Sequence, residues 1–155
     1  VEARNRFNIR VYGLLIHPEA KVLVSDELIH NQSITKFPGG GLQWGEGLID
    51  GLQREFNEEI KINISVAQHL YTTDVFQASA YNPQDQIISI YYQVTTTEWD
   101  TISVVTKAHD YDYNLDPPQC VRWIAIDRIH EILFSFPIDK IIVQKICNKE
   151  ISLIL

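Results

Sequence analysis

The sequence predicts an α/β protein, a mixed β-sheet lying between helices, folded as a single domain over residues 1–155. Three observations carry that expectation. Runs rich in β-branched and aromatic residues are punctuated by turn residues over the first third of the chain, which reads as a strand hairpin and a third strand. From about Gly47 to Ile60 the apolar residues Ile49, Leu52, Phe56 and Ile60 fall at helical spacing, a stripe able to pack on a sheet. Further strands follow, and a last helix opens at Pro137, a residue pre-organised for the first helical position.

Each element has its own signal. Residues 7–16 (FNIRVYGLLI) read as a strand, His17 to Ala20 as a turn, and residues 21–28 as the returning strand. Residues 30–33 form a polar break before a short strand at 34–37. Residues 65–77 and 86–97 read as strands, the second carrying the almost continuously apolar IISIYY expected of an inner strand covered on both faces. Residues 98–116 form a long acidic segment, 120–126 a strand and 129–133 a helical turn. The last helix runs to about Asn148 and places Ile138, Ile141, Ile142 and Ile146 in the core.

Composition narrows the function classes. A net charge of −7 argues against a nucleic-acid-coating surface, which needs a basic stripe, but not against a phosphorylated ligand held through a cation. Cys120 and Cys147 lack metal-ligand spacing and read as buried free thiols, which fits a reducing compartment. No run approaches the ~18 apolar residues of a membrane span, and no signal-peptide pattern opens the chain. The expectation is a soluble cytoplasmic protein. Because Val1 comes first and the chain has no Met, a few residues are expected to precede it.

The chemistry concentrates in residues 37–62, FPGGGLQWGEGLIDGLQREFNEEIKI. On a helix, Glu55, Glu58 and Glu59 stand at i, i+3 and i+4 and share one face. Like charges at that spacing repel, so a cation is expected to offset them, and hard oxygen donors suit Mg²⁺ or Mn²⁺. Gly39, Gly40 and Gly41 let the backbone turn and approach a ligand closely. Glu46 precedes the helix, where its N-terminal dipole favours a carboxylate.

These residues resemble the Nudix box, G-x5-E-x7-R-E-U-x-E-E-x-G-U with U apolar. Gly40 begins it, and Glu46, Arg54, Glu55, Phe56, Glu58, Glu59 and Ile62 follow in register. One position departs: Lys61 stands where the box has its last glycine, at a helix end that favours positive φ. The resemblance implies the Nudix α/β/α sandwich and a metal-dependent hydrolase that cleaves a diphosphate linkage in a nucleoside diphosphate joined to another group. Nucleotide sugars, ADP-ribose and nucleoside triphosphates are the implied small-molecule substrates. Glu58 and Glu59 are then the main metal ligands, Glu55 a further ligand that helps deprotonate water, and the Gly40 carbonyl part of the metal sphere. Arg54 pairs with Glu46 and holds the loop against the helix.

Outside the box, the family's general base can come from a loop, and Glu98, Asp100, Asp110, Asp112 and Asp116 are the candidates. Trp44, Tyr81 and Tyr111 could stack on a base or sugar, with loop packing the competing reading for Trp44; Trp123 reads as core. Lys36 and Arg122 are either phosphate contacts or exposed strand charges. The alternative function is a non-catalytic nucleotide-binding sensor module of the same fold, and a third is a diphosphate isomerase, for which Cys120 is poorly placed. The intact box carboxylates favour catalysis. The resemblance also allows a homodimer and implies neither a nucleic-acid nor a membrane partner.

Overall fold

The computed structural model describes residues 4–155, so the first three residues of the expected domain lie outside it. Strands β1 (Arg6–His17) and β2 (Lys21–Ile29) form the expected hairpin, followed by β3 (Gln32–Lys36) and a short β4 (Gly39–Gly41). Helix α1 (Leu48–Glu59) leads to β5 (Ser65–Thr72) and β6 (Asp85–Thr95), then β7 (Gln119–Ala125) and helix α2 (Pro137–Cys147). The main strand order is β3-β2-β1-β6-β5, with β4 beside β1 and β7 beside β2. β1 and β6 run parallel from Arg6↔Asp85 to Leu15↔Val94, and the other pairings are antiparallel, so the sheet is mixed.

β1 organises this sheet by dividing its side chains between two cores. Tyr12, Leu14 and Ile16 pack on the face covered by Ile138, Ile142 and Val143 of α2. Val11 and Leu15 point the other way, onto Leu52, Phe56 and Ile60 around α1. Alternation along one strand therefore feeds both layers, which is the expected α/β/α sandwich. Gly13 belongs to the α1 side, where a Cβ would stand 2.7 Å from the Phe56 ring. β1 and β2 are in register only at Ile16↔Val22 and His17↔Lys21, and β4 takes the edge of β1 that β2 leaves.

Several expectations are corrected. Gly39–Gly41 is a paired strand rather than a loop turn. Ile49 is exposed at the start of α1, so the buried stripe is Leu52, Phe56 and Ile60. β5 ends at Thr72, not at 77, because the Thr73 hydroxyl takes up the backbone of Ser89, accepting its N–H at 2.8 Å and donating to its carbonyl at 3.0 Å. Cys120 is a buried free thiol, but Cys147 ends α2 exposed. Among the described residues no helix is long and apolar enough to cross a membrane.

Lys61 keeps the backbone shape that the box glycine provides, with φ at 66°, and its Nζ donates to the Glu58 carbonyl at 2.7 Å. A non-glycine residue in this region costs roughly 1–2 kcal/mol, partly offset by glycine's greater chain entropy. Lys61→Gly is therefore expected to stabilise the protein by up to about 1 kcal/mol, a rise in Tm of about 2–4 °C by thermal unfolding.

Candidate active site

Arg54 is the hub of the site. Its Nε and one terminal amine clamp Glu46, at 3.0 and 2.7 Å, in the two-pronged geometry that a guanidinium and a carboxylate share. The other amine donates to Glu55 at 2.9 Å and Glu58 at 3.2 Å, and a further bond reaches the Gly41 carbonyl at 3.0 Å. One side chain thus ties the loop before α1, two of its carboxylates and β4 together. Glu46 also accepts the Gln43 N–H at 2.7 Å. The Arg54 hydrogen bonds, then that backbone bond, hold the Glu46 carboxyl down at about 2.

The triglycine strand lies against these carboxylates. A Cβ on Gly40 would fall 2.4 Å from a Glu55 oxygen, so only glycine leaves that carboxylate its place. The Gly40 carbonyl, expected in the metal sphere, is not the one presented. Gly13 N–H bonds to the Pro38 carbonyl and Leu42 N–H to that of Ile9, both at 2.9 Å, which makes Val11↔Gly40 a hydrogen-bonded pair of the ladder. Gly40 therefore points its carbonyl at β1, while those of Gly39 and Gly41 face away. Arg54 takes Gly41, and Lys36 takes Gly39 at 3.0 Å.

Glu55 and Glu58 thus meet on Arg54, whereas Glu59 forms no bond to it. Burial, opposed by Lys36 and reinforced by Glu27 and Glu55, raises the Glu59 carboxyl to about 7. Such a group is an anion short of positive charge. Lys36 itself is 4% exposed and sits 2.8 Å from a Glu27 carboxylate that is also buried. Burial lowers the Lys36 ammonium's affinity for its proton, but Glu59 and Glu27 more than reverse this. Among the described residues no three His, Cys, Asp or Glu side chains converge on one metal-sized centre. The donor set nevertheless suits a hard divalent cation: carboxylate oxygens, an outward carbonyl at Gly39 and an under-compensated acid at Glu59.

The remaining candidates scatter. Glu98 accepts the Asn63 N–H at 2.5 Å and so ties down the turn after α1. Asp112 caps its own turn through Asn114 at 2.9 Å. Among the described residues none of Glu98, Asp100, Asp110, Asp112 and Asp116 bonds or ion-pairs with a box residue. Trp44 is fully exposed and packs against no loop. Trp123 is partly buried on the α1-side core, beside Trp99. Neither Lys36 nor Arg122 is an exposed strand charge: both are buried, and Arg122 binds Asp26 at 2.7 Å.

On the opposite face of β1 a cavity of about 310 Å³ opens between the sheet, α2 and the segment around Tyr81. Tyr12, Tyr81, Tyr91 and Phe136 give it aromatic walls, and Arg10 and Asp139 give it charge. The Tyr91 hydroxyl donates to Asp139 at 2.6 Å, and the second Asp139 oxygen is buried with no partner among the described residues. The sequence reading missed Arg10, Glu27 and Asp139. The signals were there in part: polar residues alternate along the first half of β1 (Arg6, Asn8, Arg10), and Ser-Asp-Glu interrupts an apolar strand at residues 25–27.

Comparison with known proteins agrees with this geometry. The NUDIX domain model matches residues 6–142. A NUDIX hydrolase from Nitrosomonas europaea has a similar structure, with TM-score 0.68 and 17% identity over 95% of this chain and 93% of that one. A MutT NUDIX hydrolase from Burkholderia pseudomallei also gives 0.68, at 16% identity over 91% of this chain and 98% of that one. A UDP-X diphosphatase gives 0.62, at 13% identity over 96% of this chain and 66% of that one. No curated protein matches the chain. With the family model matching most of its length, the chain belongs to the Nudix hydrolases, a family generally made up of pyrophosphohydrolases that typically use divalent metals.

Proposed function

We propose that this protein hydrolyses a diphosphate linkage in a nucleoside diphosphate joined to another group, such as a nucleotide sugar, ADP-ribose or a nucleoside triphosphate. The observation that carries the reading is the Arg54 hub, which fixes Glu46, Glu55 and Glu58 against the triglycine strand. Glu55, Glu58, Glu59 and the Gly39 carbonyl are the groups that would hold Mg²⁺ or Mn²⁺. Such an ion, when bound, neutralises phosphate charge and acidifies a coordinated water.

The chain's own residues have defined tasks. Glu55, held by Arg54 beside Gly40, accepts the proton of the attacking water in this reading. As the water oxygen bonds to phosphorus, the P–O bond to the leaving phosphate breaks and that phosphate takes the electron pair. Arg54 serves as the positioning residue that keeps the carboxylates aimed. The aromatic cavity takes the nucleoside end of the substrate.

The test is product analysis over a nucleotide panel with Mg²⁺ and with Mn²⁺, comparing wild type with Glu58→Gln. The Glu58 side chain is 58% exposed, so the variant should fold as wild type does. Metal-dependent turnover of one panel member is expected, falling on the order of 10²–10³-fold in the variant. Tight nucleotide binding with no turnover by the wild type would show a sensor module instead.

A further inference from the structure

Between the aromatic cavity and the carboxylates of α1 stands an arginine with no carboxylate of its own. Arg10 lies on β1, lines the cavity and is partly buried. Its Nε donates to the Tyr12 hydroxyl at 2.6 Å, and Tyr12 is stacked on Tyr91, with ring centroids 5.2 Å apart. The Tyr91 hydroxyl is in turn bound to Asp139. This chain of contacts fixes the guanidinium stem while leaving its two terminal amines without a hydrogen-bond or ion-pair partner among the described residues.

That is unusual in a chain of net charge −7. The neighbouring cations are committed: Arg6 to Asp85 at 2.6 Å, Lys36 to Glu27 at 2.8 Å, and Arg54 to Glu46 at 2.7 Å. Arg10 is also on the right boundary. Its Nη1 stands 3.6 Å from where a Cβ of Gly41 would be, and Arg54 holds the Gly41 carbonyl. The two guanidinium groups therefore flank the same residue of β4, one facing the cavity and the other the carboxylates. A planar fork of free N–H donors, held rigid and partly desolvated, is suited to the oxygens of a phosphate.

We infer that Arg10 seats the phosphate attached to whatever nucleoside fills the cavity, and so sets how far a substrate's phosphate chain extends toward α1. This deepens the hydrolase reading and rests on it for the identity of the ligand. The seat itself requires no metal. Arg10 is thus a binding residue that reads a nucleoside 5′-phosphate against the bare nucleoside.

The experiment is calorimetric titration in EDTA of the four common ribonucleoside 5′-monophosphates and of their unphosphorylated nucleosides, so that the quantity read is the phosphate increment. In the wild type at least one base is expected to show an increment of tenfold or more, shrinking as NaCl rises. Measured against each variant's own nucleoside affinity, Arg10→Gln should reduce that increment to under threefold, and Arg10→Lys should keep part of it. Tyr12→Phe, which removes the anchor but not the charge, should lose only a few-fold.

No increment for any base in the wild type, or an increment that survives in Arg10→Gln, would overturn the proposal. If Arg10→Gln does not fold, the Arg10→Lys loss and the salt dependence of the wild type decide the matter. An increment alone, without turnover in the metal-containing panel, would sink the hydrolase reading and leave the phosphate seat standing.

Discussion

Glu59→Gln is expected to make the metal-free protein more stable at pH 8 and, at the same time, to abolish the metal-dependent turnover proposed for it. The two effects share one cause. Burial and the nearby Glu27 and Glu55 make an ionised Glu59 unfavourable, raising its carboxyl to about 7 despite Lys36. Above that pH the folded chain must carry a charge that the unfolded chain would solvate freely. The cost is on the order of 2 kcal/mol once coupling within the cluster is discounted. Glutamine has the same shape and no charge, so Tm in EDTA should rise by about 4–8 °C. Mg²⁺ stabilises whatever binds it by mass action, so wild-type Tm should climb with added Mg²⁺ while the variant's stays flat. Unfolding scans with and without Mg²⁺ check both halves. A variant less stable than wild type in EDTA would contradict this account of Glu59.

Asp139 should impose a second pH dependence, and metal should not relieve it. Its carboxyl is pushed up to about 7, mainly by burial, against the opposing pull of the Tyr91 hydroxyl and of Lys36 and Arg10. Between the unfolded value near 3.8 and that raised value the native state holds the proton more tightly than the unfolded state does. Stability contributed by this group is therefore complete below about pH 4 and is lost as pH rises through 7. Between pH 5 and pH 8 the swing is on the order of 3 kcal/mol. Asp139→Asn retains an acceptor for Tyr91 and cannot ionise, so urea midpoints measured from pH 5 to pH 8 should fall much less steeply than in the wild type. Glu59→Gln flattens the same window only in EDTA, which separates the two groups. Equal slopes in wild type and Asp139→Asn would show that Asp139 does not titrate there.

These two acids were unequally legible in the sequence. Glu59 belongs to a pattern whose spacing is local: helical geometry alone places it with Glu55 and Glu58, and Arg54 reaches Glu46 across a single turn and loop. Asp139, at the start of α2, looks like an ordinary acid complementing a helix dipole. Its partner Tyr91 lies 48 residues away, on a strand whose parallel register with β1 no local pattern specifies. Arg10 hides in the same way, since strand alternation puts it on a face but does not say which helix or cavity that face meets. Lys36 and Glu27 need the β2–β3 pairing before they become a buried ion pair. Gly40 shows the limit from the other side. Motif position singles it out, but the hydrogen-bond parity of an antiparallel ladder decides which carbonyl turns outward, and that parity is a property of two strands together.

The division of labour across β4 has a consequence for how such a protein can diversify. The carboxylates proposed for the reaction lie in one continuous stretch, Glu46 to Glu59, whereas the cavity walls are drawn from residues 6–12, 77–91 and 136–139. On that reading the reaction chemistry forms a cassette, and ligand preference is assembled from three dispersed segments. Exchanging the segment around Tyr81 or the start of α2 for sequences of different shape should redirect what enters the cavity without disturbing the Arg54 hub. The same chain could be retargeted by grafting two short segments.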